Sequence, residues 1–319
     1  MAEYRIVPNP HAYSEIVVGE EHRFRIVNEW AKWPDTVKGC SVICCACDAD
    51  DNLYVSLREH DCGVVVFDKD GNFIREFGRN VFEFAHGIFV RDCGTVLIAD
   101  GNHHVIREYT PEGEFVRNYG KENEPSDTGY VSAIGIDSIV RVGGPFNKPT
   151  KMVEASDGTF FASDGYRNAA VHRLDADGNC LATWGGPGRE VGQYRIPHSV
   201  MADSRDRVWV TDRENGRIII LAFDGTILAV LEDLARPGET WEYEGEVYVN
   251  ELDRGITIYD LDLNVTEQID LCGLGLSPHG ATQAGITLHG MNGNSKGDLF
   301  ICTLKSEDNR GIIKLERVR

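Results

Sequence analysis

The segment RDRVWVTDRENGRIIILAFDGTILAVL at residues 205 to 231 decides the fold. It begins with a polar turn, continues as an apolar strand, crosses a loop rich in Gly, Asn and Asp, and enters a second apolar strand. The Asp224-Gly225 pair then supplies the positive φ that a tight hairpin needs, and a third strand follows. The pattern predicts an antiparallel meander of three strands.

The same layout recurs along the whole chain of 319 residues. A further strand precedes the polar turn, as in PHSVMAD at 197 to 203, so each unit has four strands. Because no stretch has a helical period, the repeats predict an all-β, six-bladed β-propeller. The six units lie at 51 to 78, 93 to 120, 157 to 185, 205 to 231, 244 to 271 and 296 to 318.

The last unit ends after its third strand, so its outer strand must come from elsewhere. The stretch HRFRIVNEW at 22 to 30 resembles the third strands of the other units. We therefore expect this N-terminal strand to complete the C-terminal blade and remove its open edge. The expected organisation is a single domain over 1–319, with an N-terminal extension at 1–20 and an insertion at 121–147 between blades two and three.

The charge balance restricts the expected partners. The chain has 32 Lys and Arg against 51 Asp and Glu, a formal net charge of −19. Such a surface repels phosphate groups, so we expect a small-molecule ligand, no nucleic acid and no membrane. Glu3, Pro8 and Pro10 interrupt any apolar core of a secretory signal, and no later apolar run could span a bilayer. The sequence thus predicts a cytoplasmic protein.

The nine cysteines have no spacing typical of a disulfide framework. We expect them to be reduced, and most of them to be small core residues of strands. Cys44 and Cys47 have a ligand-like spacing, but no second pair accompanies them and the two side chains would point to opposite faces of a strand.

Three histidines share one position in the repeat. Each stands twelve residues before the central residue of the next strand: His86 before Ile98, His198 before Val210 and His289 before Ile301. Residues at one offset lie at one height around the propeller axis, so the three imidazoles should converge. Three imidazoles suit a divalent cation such as zinc and leave a fourth position open. The rival interpretation is that each histidine hydrogen-bonds a neighbouring carbonyl, and His279 could replace His289 as the third ligand.

Two further sets of residues recur in the loops beyond the second strands. Arg58, Tyr166 and Arg213 occupy nearly equivalent positions and should project over the same end of the channel as the histidines. Cations beside a tyrosine stabilise a phenolate and also bind a substrate carboxylate. Asp100, Asp164 and Asp212 also share one offset, which favours a structural role in accepting backbone N–H groups.

The stretches FAHGIFV with LIADGNHHVI (84 to 106) and SDGYRN with IPHSV and VTDRENGRI (163 to 219) resemble the NHL-repeat propellers. Among these the chain is most similar to the peptidyl-α-hydroxyglycine α-amidating lyases. The resemblance implies an NHL-type propeller in which His86, His198 and His289 bind zinc. It also implies that Tyr166 is the base and that Arg58 and Arg213 hold the substrate.

The chain departs from that family at two positions. Arg167 follows the tyrosine where the family has a disulfide-bonded cysteine. Gly290 follows the last histidine where the family has an aspartate that helps to bind a structural calcium, so a Ca²⁺ site is disfavoured here.

The sequence supports one main functional hypothesis and two rivals. The main hypothesis is a zinc-dependent lyase that splits a hydroxylated, carbinolamide-like carbon into an amide and an aldehyde or glyoxylate-type acid. Its substrate would be a small molecule carrying a carboxylate. The rivals are a metal-dependent hydrolase like the six-bladed lactonases and a non-catalytic NHL binding scaffold. The sequence does not identify the substrate.

Overall fold

Six antiparallel sheets form the blades of a β-propeller. The computed structural model describes residues 17–27, 29–37, 39–271, 287–304 and 311–318. Each sheet has one innermost strand, and these innermost strands contact one another in a closed cycle around the axis. The predicted all-β propeller is therefore confirmed.

The strands are named in chain order. They are β1 (Val17–Val18), β2 (Phe24–Val27), β3 (Val42–Cys47), β4 (Leu53–Leu57), β5 (Val64–Phe67), β6 (Phe73–Phe77), β7 (Ala85–Val90), β8 (Val96–Asp100), β9 (Val105–Tyr109), β10 (Phe115–Tyr119), β11 (Lys151–Glu154), β12 (Phe160–Asp164), β13 (Ala170–Leu174), β14 (Cys180–Gly185), β15 (Pro197–Ala202), β16 (Arg207–Asp212), β17 (Arg217–Ala222), β18 (Ile227–Leu231), β19 (Pro237–Tyr243), β20 (Glu246–Glu251), β21 (Gly255–Asp260), β22 (Val265–Asp270), β23 (Leu288–Gly293), β24 (Leu299–Thr303) and β25 (Ile312–Arg317).

Blades one to five are consecutive groups of four strands, from β3–β6 to β19–β22. Within the described ranges, three short 3₁₀ helices lie between strands, at Asp35–Val37, Ile136–Ser138 and Arg213–Asn215. No helix among the described residues is long and apolar enough to cross a membrane.

Blade six is completed by the N-terminal part of the chain, as expected. Strand β2 pairs antiparallel with β25, with Phe24 opposite Arg317 and Val27 opposite Lys314. Strand β1 then pairs with β2, so this sheet has five strands. The N-terminal extension thus contributes one more strand than the sequence predicted.

Burial falls from the axis to the rim of each blade. The second and third strands of blade one, β4 and β5, are wholly buried, whereas the outer strand β6 is largely exposed at Phe73 and Ile74. The hydrophobic clusters lie between neighbouring blades, and packed sheet faces of this kind stabilise a propeller. At the hairpin before β6, Gly71 has the predicted positive φ, of 79°.

The insertion at 121–147 folds over the blade-three loop that follows β12. The Asn147 backbone N–H donates to the Asp164 carboxylate over 2.7 Å, and the Asn147 side chain donates to the Ser126 carbonyl over 2.8 Å. Thr128 donates to the Arg167 carbonyl over 2.6 Å. The insertion is therefore fastened to the loop that carries Tyr166.

The cysteine prediction is wrong for two pairs of residues. Cys40 and Cys62 form a disulfide, because the loop after β4 packs against the segment before β3 and brings their Cα atoms to 6.5 Å. Cys93 and Cys180 are exposed and are not core residues. Cys44, Cys45, Cys47 and Cys302 are free and lie in strands, as expected.

Candidate metal centre and active site

Each of the three histidines lies at an irregularity near the start of an innermost strand. The pairing register shifts between Ala85 and Ile88, between Pro197 and Ser199, and between Leu288 and Gly290. A bulge places an extra residue against the partner strand and redirects its side chain. The extra residues in these bulges include His86, His198 and His289, all from alternate blades.

The three imidazoles converge. Their ring centroids are 4.8 Å apart for His86 and His198, 4.8 Å for His198 and His289, and 5.0 Å for His86 and His289. One nitrogen of each ring lies within 4.8 Å of the other two, and the residues are only 2 to 3% exposed. The described residues thus contain a buried group of three donors that could hold a metal ion.

The second nitrogen of each imidazole binds the backbone of the following blade. Nδ1 of His86 lies 2.8 Å from the Thr150 carbonyl oxygen, Nδ1 of His198 lies 2.8 Å from that of Gly238, and Nδ1 of His289 lies 2.9 Å from that of Ile43. A carbonyl only accepts hydrogen bonds, so each Nδ1 carries a proton and each Nε2 keeps its lone pair. Hydrogen bonds of this kind orient metal-binding histidines. The rival interpretation of carbonyl-bonded histidines is therefore compatible with the metal hypothesis.

The imidazoles are held in the neutral form. Burial lowers the pKa of His289 to about 3, and the guanidinium groups of Arg58 and Arg213 act in the same direction. Burial also holds the pKa values of His86 and His198 well below the usual value. Neutral imidazole is the form that binds a metal.

Tyr166 lies between two of these imidazoles. Its hydroxyl oxygen is 2.9 Å from Nε2 of His86 and 3.1 Å from Nε2 of His198. The hydroxyl has one proton, so it can donate to only one of the two lone pairs. A second buried lone pair then faces the phenol oxygen without a proton between them. A cation would satisfy these donors, and this observation fits a metal.

A glycine allows Tyr166 to approach blade four. A Cβ atom on Gly165 would lie only 2.2 Å from the Pro197 carbonyl oxygen, so no larger residue fits there without a shift. The aspartate before it, Asp164, accepts hydrogen bonds from the Asn147 N–H and the Asn168 side chain. These contacts fix the turn that carries the tyrosine.

The recurring aspartates have the structural role predicted for them. Asp100 accepts from the N–H groups of Glu83 and Phe84, and Asp212 accepts from the N–H group of Arg195. Asp100 also receives the Arg107 guanidinium. Together with Asp164, these carboxylates hold the loops on one face of the propeller.

Arg58 and Arg213 lie beside Tyr166 but differ in their contacts. Within the described residues, Nε and Nη2 of Arg58 are buried and have no hydrogen-bond partner. Its guanidinium carbon lies 4.3 Å from the ring centroid of Phe84, and burial lowers its pKa. Arg213 donates from Nε to Glu214 over 2.9 Å, and its guanidinium carbon lies 5.7 Å from the Tyr166 ring centroid. The structure thus brings all six predicted site residues together, and Arg58 is the arginine with free buried donors.

Sequence reasoning missed two residues of this site, Phe84 and Lys148. The Phe84 ring stacks on that of His86 at 6.1 Å between centroids, and the Lys148 ammonium lies 3.8 Å from the Phe84 centroid. Phe84 stands two residues before His86. Lys148 stands two residues before Thr150, the blade-three residue at the histidine offset. Extending the offset comparison by two residues would have found both.

A second polar layer lies next to the histidines along the axis. The Lys151 ammonium is 2.7 Å from the Glu239 carboxylate, which also accepts a hydrogen bond from the Ser199 hydroxyl.

Gly290 leaves no room for a side chain. A Cβ atom at this position would lie 2.5 Å from the Ile43 carbonyl oxygen, so a larger residue would need the backbone to shift. Calcium binding is not tested by these contacts, and its absence stays a prediction.

Two other sets of potential metal ligands are poor candidates among the described residues. Cys40 and Cys62 lie near Glu59 in a second group of potential donors, but the disulfide leaves them no thiolate. Cys44 and Cys47 belong to no group of three metal donors. His279, the alternative third ligand, lies outside the described residues.

The sequence matches the model of one repeat family. Residues 194–221 match the NHL repeat, which covers Tyr194, His198 and Arg213. The predicted resemblance to NHL-repeat propellers is therefore confirmed.

Curated relatives include amidating enzymes. The peptidylglycine alpha-amidating monooxygenase of Rattus norvegicus is 29% identical over 166 residues, which cover 50% of this chain and 16% of that protein. The probable peptidyl-alpha-hydroxyglycine alpha-amidating lyase of Caenorhabditis elegans is 28% identical over 159 residues, 49% of this chain and 41% of that protein. NHL repeat-containing protein 3 of Homo sapiens is 27% identical over 216 residues, 64% of this chain and 58% of that protein. The chain thus spans less than two thirds of each of these relatives.

Solved structures support the fold. A streptogramin B lyase structure has a TM-score of 0.61 at 14% identity and covers 92% of this chain and 98% of its own. A gluconolactonase from Xanthomonas campestris has a TM-score of 0.62 at 14% identity and covers 92% of this chain and 90% of its own. At this identity the likeness concerns the architecture alone.

Proposed function

We propose that this protein is a zinc-dependent lyase that acts on a small carbinolamide carrying a carboxylate. It would split the hydroxylated carbon from nitrogen and release an amide and an aldehyde or glyoxylate-type acid. One observation carries the proposal: two of the three neutral imidazoles contact the Tyr166 hydroxyl, and an arginine with two free buried donors lies beside it. The curated relatives named as amidating lyases support the same reaction class.

The donor set fits zinc better than calcium. His86, His198 and His289 offer three nitrogen donors, and calcium prefers six to eight oxygen ligands. Zinc accepts three imidazoles and keeps a fourth position open in catalytic sites. When bound, the ion would supply Lewis acidity to the oxygen of the substrate hydroxyl.

Tyr166 would take the proton of the substrate hydroxyl. Its hydroxyl oxygen lies 2.9 and 3.1 Å from two of the Nε2 atoms that would hold the ion, and the guanidinium of Arg213 lies near its ring, so the phenolate form would have cationic neighbours. A base held in place in this way contributes about 10² to 10⁴ in rate. Loss of the hydroxyl proton lets the C–O bond become a carbonyl as the C–N bond breaks.

Arg58 would hold the carboxylate of the substrate. The family resemblance assigns Arg58 and Arg213 alike to substrate binding, but Nε of Arg213 is already bound to Glu214. Nε and Nη2 of Arg58 form one edge of the guanidinium, and both are free in the described part of the chain. A carboxylate meets such an edge with two parallel hydrogen bonds. The guanidinium of Arg213 would then stabilise the negative charge of the Tyr166 phenolate.

The rival functions have weaker support. The lactonase-like hydrolase rests on likeness of fold, and a shared fold hosts many reactions. The NHL scaffold is supported by the human relative, but it does not explain the buried Nε and Nη2 of Arg58, which have no hydrogen-bond partner in the described structure. We further propose a small molecule as the partner, with no nucleic acid and no membrane, because of the net charge of −19.

The cytoplasmic location also remains a proposal. Disulfides persist mainly in oxidising compartments, so a cytoplasmic protein would keep Cys40 and Cys62 reduced. Alkylation of the two thiols in freshly lysed cells, read by mass spectrometry, decides between the two states. A disulfide already present before lysis would contradict the cytoplasmic assignment.

The function is tested by metal content together with product analysis. The purified protein should bind about one zinc and convert an N-acyl-α-hydroxyglycine into the amide and glyoxylate. His198→Ala should lose both the zinc and the turnover. His60→Ala changes a half-exposed histidine outside the three-histidine group and should keep both the zinc and the turnover. A zinc-loaded wild-type protein that releases neither product would refute the lyase.

A further inference from the structure

We propose that Lys148 is the general acid of this site, which protonates the leaving nitrogen as the C–N bond breaks. The inference rests on the proposed function and adds to it the source of the second proton transfer. An amide nitrogen leaves poorly as an anion, so a lyase of this class needs a group that protonates the leaving nitrogen.

The ammonium of Lys148 lies beside the rings of Phe84 and Tyr166. Nζ lies 3.8 Å from the Phe84 ring centroid and 5.8 Å from that of Tyr166. Its aliphatic stem crosses Gly101, where a Cβ atom would lie 3.0 Å from the Lys148 Cγ and 3.0 Å from Phe84. The backbone N–H of Lys148 donates to Nδ1 of His104 over 3.1 Å. The lysine is thus anchored at both ends, with its amine beside the tyrosine.

Lys148 has no ion-pair partner among the residues that the structure describes. The charged and titratable groups around it are Arg58, Arg167, Tyr166 and His104. Burial lowers the pKa of Lys148 to about 8, and the guanidinium groups of Arg167 and Arg58 act in the same direction. Burial also lowers the pKa of His104, so that imidazole is neutral. An amine in this state is protonated near neutral pH and gives up its proton more easily than an ordinary lysine.

The other groups around Tyr166 are poor proton donors. The guanidinium groups of Arg58 and Arg213 do not release protons in proteins. The histidines of the triad use their Nδ1 protons on backbone carbonyls. The Glu214 carboxylate, which lies next to Arg213, is bound by Arg213 over 2.9 Å and by Arg236 over 2.8 Å. Lys148 is therefore the amine that can deliver a proton here.

The step balances without an oxidant or a reductant. The substrate O–H bond breaks, and its proton goes to the Tyr166 phenolate. The oxygen lone pair forms the carbonyl as the C–N bond breaks, and the electron pair of that bond goes to nitrogen. The nitrogen takes a proton from Lys148 Nζ and leaves as the amide. Transfer of the proton from Tyr166 to Lys148, through water, restores both groups.

The kinetic test compares two substitutions of Lys148 with a control. Lys148→Met should lower kcat by about 10² to 10⁴ for an alkyl amide leaving group. The loss should shrink towards none as the leaving nitrogen becomes more acidic, as in a nitroanilide or an imide. Lys148→Arg keeps the charge but cannot donate, so it should not restore kcat. Lys121→Met changes an exposed lysine at the start of the insertion that precedes Lys148 and should leave all rates unchanged.

Two kinetic results would overturn the proposal. The first is a rise in KM with unchanged kcat in Lys148→Met, because that is the behaviour of a binding residue. The second is full activity in Lys148→Arg, which would show that only the charge matters. The wild-type kcat should also fall at alkaline pH as Lys148 loses its proton. The pH profile of kcat in Lys148→Met should lack this alkaline decrease.

A direct measurement of the lysine separates this proposal from the proposed function. Lysines labelled by reductive ¹³C-methylation can be titrated by NMR in the protein alone, with Lys148→Arg identifying the resonance. We expect a pKa of about 8 for this residue. A value near the ordinary lysine pKa of about 10.4 would overturn the proposal whatever the enzyme does. Absence of turnover in the zinc-loaded wild type would instead refute the lyase itself.

Discussion

Replacement of Arg58 by methionine should weaken substrate binding without destabilising the protein. Two N–H-bearing nitrogens of this side chain are buried without a partner in the described structure. Each buried unsatisfied polar group costs about 1–3 kcal/mol, whereas the contact with the Phe84 ring returns about 0.5–1 kcal/mol. Methionine keeps an apolar side chain of similar length and removes the two buried nitrogens that have no hydrogen-bond partner. The free energy of unfolding of the metal-free protein should therefore stay equal or rise.

The effect on the substrate should have the opposite sign. A hydrogen bond between a guanidinium and a carboxylate contributes about 1.5–3 kcal/mol, and each 1.4 kcal/mol is a factor of ten. Arg58→Met should thus raise KM about 10- to 150-fold for a substrate that carries the carboxylate. An analogue with a primary amide in place of the carboxylate should show little difference between the two proteins.

A matched substitution provides the control. Arg91 binds two carboxylates, those of Glu108 over 2.6 Å and Glu154 over 2.7 Å. Arg91→Met should lower the free energy of unfolding by about 2–4 kcal/mol, because it leaves carboxylates without their partner, and should not change KM. Urea titration and steady-state kinetics measure both quantities. A destabilised Arg58→Met protein with unchanged KM would contradict the role of Arg58 in substrate binding, since Arg58 would then be a structural residue.

Four further results are expected. Tyr166→Phe should keep its zinc but lower kcat by about 10² to 10⁴, and wild-type turnover in this variant would eliminate the tyrosine as base. The metal-free protein should lose stability as the pH falls from about 6.5 towards 3, because His289 binds a proton in the unfolded chain but stays neutral when buried. Urea titrations across this range should show that the free energy of unfolding depends less steeply on pH in His289→Gln, by about 1.4 kcal/mol per pH unit. An unchanged slope would contradict the neutral state assigned to His289. Reduction of the Cys40–Cys62 disulfide, which closes a separation of 22 residues, should lower the free energy of unfolding by about 2–4 kcal/mol, and equal urea midpoints with and without reductant would count against the pairing. Gly290→Ala should cost about 1–3 kcal/mol and weaken zinc binding, because the added methyl group meets the carbonyl that orients a histidine; a variant with wild-type stability and affinity would show that the backbone yields freely.

The histidine cluster could be predicted from the sequence because a repeat converts sequence offset into position. His86, His198 and His289 share one offset, and that offset falls on the innermost strand of each blade. Closure by the 22 to 30 segment was predictable for a related reason, since an incomplete sheet has an open edge that a matching strand must cover. The assignment of residues 1–319 to one domain stays a prediction.

The backbone conformation of Lys148 and of its equivalents in the next two blades is a feature that an apolar pattern does not encode. Lys148, Ile196 and Arg236 stand two residues before the histidine offset in blades three, four and five, and their φ angles are 66°, 65° and 58°. These left-handed conformations are uncommon for residues other than glycine, so propensity alone does not predict them. The pairing of Cys40 with Cys62 depends on how two loops pack, which no local signal reports.

Zinc-edge X-ray absorption on the protein loaded with one equivalent of zinc tests whether His86, His198 and His289 hold the metal. We expect three imidazole nitrogens at about 2.0–2.1 Å and one further light ligand, a signature that His198→Ala should abolish. Sulfur ligands at about 2.3 Å, or no bound zinc, would contradict it, because the metal would then not lie among the three histidines on the propeller axis.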